Sequence, residues 1–146
     1  MPGNMRREIG KRLTILARQL RKDFDSHVGD FGLTRSQWSL IATVAARPGS
    51  TQRQIAEMLE MSEASTGRLI DRLEADGLLV RRDRPDDRRA RAVHLTEKAD
   101  PLLERMGDFA QMREERMAHG MSEEQLAKLR ELLDLIYVNL ARCDPD

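Results

Sequence analysis

Between Arg81 and Arg91 lie six arginines and three aspartates. The planar guanidinium fork matches phosphate oxygens and the paired acceptors of guanine, so this run has the chemistry of nucleic-acid contact. Arg84, Arg88 and Arg89 fall at or near the tip of the turn predicted at ArgProAspAsp. An arginine placed there can enter a narrow, electronegative minor groove. Asp86 and Asp87 oppose that use, and one of them is expected to pair with an arginine at the base of the hairpin and fix it. The competing reading of the run is a solvated loop that neutralises itself. Upstream, Ser62, Ser65, Thr66 and Arg68 occupy the first two turns of a predicted helix, with Gly67 among them to allow close approach. Hydroxyls bond phosphates or base edges, and Arg68 can bridge guanine O6 and N7. Leu69, Ile70 and Leu73 are assigned to the core, and Arg72 either to phosphate or to a surface pair with a nearby glutamate.

Other chemistries are poorly served. His27, His94 and His119 are scattered, and the chain has no glycine-rich phosphate loop, no HExxH and no GxSxG, so the reading is that it is not an enzyme. Isolated histidines without cysteine partners make no metal site, and no cofactor is expected. Cys143 is the only cysteine, which excludes an intrachain disulfide. It reads as an incidental thiol near a helix end, since Asp144 and Asp146 offset the neighbouring Arg142 that would activate it.

The elements that would position these residues carry clear boundary signals. Thr34-x-x-Gln37, Thr51-x-x-Gln54 and Ser122-x-x-Gln125 each fit a capping box at the head of an apolar-periodic run. Ser62 is suited to cap another helix and Gly77 to end it in a left-handed turn. A first helix is predicted from about Met5 to His27, with Ile9, Leu13, Leu16, Leu20 and Phe24 on one stripe. Further helices follow over Thr34–Ala46, Thr51–Leu59 and Ser62–Asp76. Leu78–Arg82 and Arg91–Leu95 read as strands of a hairpin. Thr96 is expected to cap a long helix with Leu102, Leu103, Met106 and Phe109 on one face. A last helix spans Ser122–Arg142, with apolar Leu126, Leu129, Leu132, Leu133, Ile136, Tyr137 and Leu140.

The fold class is therefore mainly α with a small β-wing: a winged helix-turn-helix over 34–95, flanked by helices over 5–30 and 97–142, in one domain spanning 1–146. Neither terminal helix is needed to complete a small helix-turn-helix core. Their apolar stripes are most simply covered by a second copy, and a symmetric dimer also puts two recognition helices on one side. The chain has 146 residues and zero formal net charge, but the charge is segregated. Residues 1–46 carry eight basic against four acidic groups, 47–94 ten against nine, and 95–146 seven against twelve. Local patches govern phosphate contact, so neutrality does not exclude DNA. No apolar run reaches the roughly 18 residues of a membrane span and the basic N-terminus lacks an export segment, so the cytoplasm is the expected compartment.

The stretch from LTRSQW through QIAEMLEMSEASTGRLIDRLEADGLLVRR to DDRRARAVHLTEKADPLLERM resembles the MarR family of bacterial transcriptional regulators, its SlyA branch most of all. The most specific part is Asp87-Arg88-Arg89-Ala90, continued by Leu95-Thr96. Many members carry a glycine where this chain has Ala99, a departure shared with the SlyA branch that favours an uninterrupted helix there. The resemblance implies an obligate homodimer whose terminal helices interleave and whose winged domains straddle a palindromic operator in double-stranded DNA. It points to Arg68, Arg88 and Arg89 as contacts and ranks Arg84 lower. It also implies a small aromatic carboxylate or phenolic effector, for which Arg18, Thr34 and Trp38 would bracket the ring and its charge. The alternative function is a protein-interaction module that keeps the winged fold without specific DNA binding.

Overall fold

The computed structural model describes residues 2–87 and 89–142, so the expected contact Arg88 and the thiol of Cys143 lie outside the described residues. The chain divides into two compact units, Met1–Leu102 and Leu103–Asp146. The first contains α1 (Pro2–Val28), α2 (Arg35–Ala46), β1 (Ser50–Thr51), α3 (Gln52–Leu59), α4 (Glu63–Ala75), β2 (Leu79–Asp83) and β3 (Arg91–Leu95). Helix α5 (Asp100–Met117) begins in the first unit and continues into the second, which also holds α6 (Glu123–Ala141).

The three capping boxes form as the sequence predicts. Gln37 N donates to Thr34 Oγ1 at 3.2 Å while Thr34 N donates to Gln37 Oε1 at 2.9 Å. Thr51 and Gln54 exchange the same pair, as do Ser122 and Gln125. Ser62 Oγ accepts from Ser65 N at 3.1 Å and starts α4. Each such cap stabilises its helix by about 1 kcal/mol. Helix α4 ends as foreseen at Gly77, with φ +77°. Gly77 N donates to Glu74 O and Leu78 N to Leu73 O at 2.9 Å each, which closes the last carbonyls. Between α3 and α4 the chain turns through Glu60 at φ 53°, a left-handed conformation on a residue with a Cβ.

The core of the first unit gathers the inner faces of α2, α3, α4 and the sheet. Leu40, Ile41 and Val44 meet Ile55, Ile70, Leu73, Leu79 and Val93, all essentially inaccessible to water. Burying each contributes about 1.5–3 kcal/mol. The sheet has three strands in the order β1-β3-β2, where two were expected. Ser50 and Thr51 pair antiparallel with Val93 and Ala92, and β2 pairs with β3 from Leu79↔Leu95 to Asp83↔Arg91.

Thr96 corrects an expectation. It makes no side-chain cap; its hydroxyl donates instead to Gly77 O at 2.5 Å, tying the end of β3 to the end of α4. A 3₁₀ turn over Glu97–Ala99 intervenes, and α5 starts only at Asp100, so the helix does not run uninterrupted from Thr96.

In the second unit Met106 and Phe109 are buried, with the Arg113 guanidinium 5.6 Å from the centre of the Phe109 ring. Helix α6 has no buried residue, and Tyr137 and Leu140 are 75% and 68% exposed. On α1, Ile9, Leu16 and Leu20 are likewise exposed. Among the described residues no helix is long and apolar enough to cross a membrane.

Candidate nucleic-acid interface

Helix α4 sorts the hydroxyl-rich cluster into two faces. Ser62 and Arg68 are exposed and Ser65 half-buried, and Arg68 Nη2 donates to Ser65 Oγ at 3.3 Å. This bond steadies a flexible arginine beside the helix start, where backbone N–H groups and the positive end of the helix dipole favour anions. Thr66 does not belong to that face. It is 0% exposed, and its Oγ1 has no hydrogen-bond partner. Thr66, Ile70 and Leu73 follow helical spacing onto the core side, so the hydroxyl cannot reach a groove. Gly67 is also buried, and its missing side chain serves Gln52: a Cβ there would lie 2.7 Å from Gln52 Nε2. The close approach predicted at this glycine is thus between α3 and α4. Arg72 pairs with Asp76 at 3.7 Å.

In the hairpin, Arg84 is half-buried with its Nη2 3.2 Å from Asp86 Oδ2, while Asp87 Oδ1 accepts from the backbone N of Arg89 at 2.9 Å. Asp86 therefore pairs within the tip, where an arginine at the base was expected; Arg91 and Asp83, the last paired residues before the tip, form a further ion pair at 3.5 Å. Arg89 is exposed. A groove of about 720 Å³ separates α3 from the hairpin, lined by Gln52, Arg53, Glu57, Arg84, Arg89 and Arg91 among others.

Sequence reasoning passed over Arg81. It lies on β2 with its guanidinium 2.7 Å from Asp71 Oδ1 and 3.0 Å from Glu74 Oε2, both on α4. The acid pair at i, i+3 was the available signal, because such residues share a helix face.

The residues expected to bracket an effector are all in the first unit. Trp38 stands edge-on between Phe24 and Phe31, with ring centroids 5.2 and 5.0 Å away. Thr34 uses its hydroxyl to cap α2, and Arg18 is exposed on α1. Beside this aromatic cluster, Arg35 Nε donates to Asp25 Oδ1 at 2.8 Å. That bond holds the Asp25 carboxyl below the usual carboxylate range and raises Arg35.

This arrangement of helices and hairpin has close counterparts. The sequence profile of the MarR family matches residues 31–90. The solved structure of the transcriptional regulator PA3341 is 30% identical, covers 92% of this chain and 98% of its own, and superposes with a TM-score of 0.79. The chain belongs to the MarR family. The transcriptional regulator SlyA shares its fold at 24% identity, over 92% of this chain and 94% of that one, with a TM-score of 0.76. A mutant of E. coli MarR, solved in complex with operator DNA, shares the fold at 18% identity over 88% and 93%, with a TM-score of 0.74. The MarR-family fold of this chain is thus mainly helical with a small antiparallel sheet.

Proposed function

We propose that this MarR-family protein is a homodimeric regulator of transcription that reads a palindromic operator in double-stranded DNA. The observation that carries the reading is one compact unit presenting both a Ser62–Ser65–Arg68 face at the start of α4, with Ser62 and Arg68 exposed, and an arginine-bearing hairpin. In this reading α4 enters the major groove, with Arg68 on a base and Ser62 and Ser65 on phosphate or base edges. Arg88, Arg89 and, less centrally, Arg84 hold the flanking minor groove or its phosphates. The exposed apolar stripes of α1 and α6 support a dimer formed through the terminal helices. A two-fold assembly then sets half-sites about 10 bp apart. A small aromatic carboxylate is the proposed effector, with Arg18 for the charge and Trp38 for the ring.

The competing reading is an interaction module without specific DNA binding. It draws on the pairing of Arg84 with Asp86 and of Arg91 with Asp83, which neutralises part of the wing. A mobility-shift titration on the DNA upstream of the protein's own gene, across a salt series and with or without salicylate, separates the two. A specific complex lost steeply with salt supports the regulator. No specific complex there or with any duplex drawn from a random pool supports the module. A complex that salicylate dissolves supports the effector, and one indifferent to it removes salicylate.

A further inference from the structure

We propose that Arg81 is a positioning residue that locks the wing onto the recognition helix and so sets the spacing of the two DNA-contacting surfaces without touching DNA itself. The inference rests on the reading of α4 and the hairpin as the DNA interface. Its side chain is only 16% exposed, against 32% for Arg84 and 56% for Arg91. Asp71 Oδ1 and Glu74 Oε2, 2.7 and 3.0 Å away, hold the guanidinium from α4, and its Nη2 makes longer 3.4 Å contacts to Gln52 Oε1 on α3 and to the Gly67 carbonyl. One side chain thus ties β2 to both helices of the helix-turn-helix.

The slot around it is built for the purpose. Gln52 reaches Arg81 because Gly67 has no Cβ, and its amide nitrogen donates to Glu63 O at 3.0 Å, which fixes the orientation of the amide. A planar fork with five donors can satisfy partners on two sides at once, which a lysine ammonium on a flexible stem does poorly. Two carboxylates beside the guanidinium also discourage a phosphate from taking their place, since like charges would then share the site. Pairing with β1 ends at Ala92, opposite Arg82, so the hairpin is two-stranded only from there outward. Arg81, the last residue of β2 before that point, joins it to α4 alongside the buried Leu79 and the Thr96–Gly77 bond. Arg81 therefore keeps its charge inside the protein, whereas Arg89 at the tip is exposed.

The test uses the full chain and two variants. Asp71→Asn/Glu74→Gln keeps the arginine and removes only solvent-accessible charges, so folding is retained; Arg81→Gln removes the fork. Amide hydrogen exchange is followed in β2 and β3 against α2. The expected result is exchange at least tenfold faster in the hairpin of both variants with α2 unchanged. On a duplex selected by the wild type from a random pool, hydroxyl-radical footprints should lose the flanking protection given by the wing and keep the central protection given by α4. Unchanged hairpin exchange overturns the proposal, as does an even loss of all protections. A salt slope reduced by about 0.9 for each arginine removed in Arg81→Gln also overturns it, because that marks a direct phosphate contact. If the wild type binds no duplex, the DNA reading fails, and the exchange measurement still decides whether Arg81 holds the wing.

Discussion

Replacing Thr66 with valine should stabilise the protein. The Thr66 hydroxyl is wholly buried and has no hydrogen-bond partner. Burying a hydroxyl unpaired costs about 1–3 kcal/mol, because its bonds to water are lost and not replaced. Valine keeps the branched shape, fills the same space with a methyl group, and has nearly the same helix propensity as threonine. Packing is thus preserved while the polar penalty disappears, and the expected gain is about 1–2 kcal/mol. For a chain of 146 residues a kcal/mol moves the midpoint by roughly 3–4 °C, so Tm should rise by roughly 3–8 °C. The assay is thermal and urea unfolding by circular dichroism at one fixed protein concentration, since an associating protein's midpoint depends on concentration. Thr66→Ser is the control: it keeps the hydroxyl, loses a buried methyl, and should cost about 1 kcal/mol. A valine variant less stable than the wild type would refute the reasoning, because the hydroxyl would then have a partner. An equally stable variant that no longer bound DNA would return Thr66 to the interface.

Four further outcomes are expected. Arg68→Ala should weaken binding to a selected operator by about 1–3 kcal/mol and relax preference at one position of each half-site; equal weakening on every sequence would make it a phosphate contact. Glu60→Asn, which tolerates the left-handed turn at φ 53° better, should add about 1 kcal/mol to unfolding free energy by urea titration, whereas no gain would mean the glutamate side chain compensates its backbone. Asp25, whose pKa is depressed by its bond to Arg35, contributes stability that is full above the ordinary carboxylate value and lost as pH falls through the depressed one. Asp25→Asn should therefore lower the midpoint at pH 7, and the gap to the wild type should narrow as pH falls below the ordinary carboxylate range; a gap that does not narrow in acid would assign the effect to packing. Removing α6 should leave a chain that no longer dimerises by sedimentation, and a well-folded dimer lacking α6 would show that other surfaces hold the copies together.

Much of the helical framework was legible because its signals are local. A hydroxyl and a glutamine three residues apart meet through one turn of backbone, so Thr34, Thr51 and Ser122 announced their helices. Gly77 did the same for the end of α4. Thr96 has the same residue type before a helical run, yet its hydroxyl bonds Gly77, nineteen positions back in the chain, and no local pattern carries that. Strand β1 is two residues long and exists only because β3 lies beside it. Thr66 differs for another reason: its place in the first turns of α4 suggests the groove, but helical spacing sets it on the side of Ile70 and Leu73, which is the core. Arg81 was hidden among other arginines, and only the folded arrangement of β2 over α4 gives it its two acids.

The dual position of Thr51 has a bearing on where this chain can change in length. Thr51 pairs with Ala92 in the sheet and at the same time caps α3, and Gly49 N donates to Val93 O at 3.0 Å just before it. One residue inserted between Gly49 and Thr51 would put strand pairing and helix start out of step, since a single-residue slip reverses which face a strand residue presents. Beyond Asp83 and Arg91, the last paired residues of the hairpin, no ladder pairing holds the described residues of the tip. Insertions, grafted arms and altered base preferences therefore belong at residues 84–90, while the linker at 49–51 admits substitution but not a change of length.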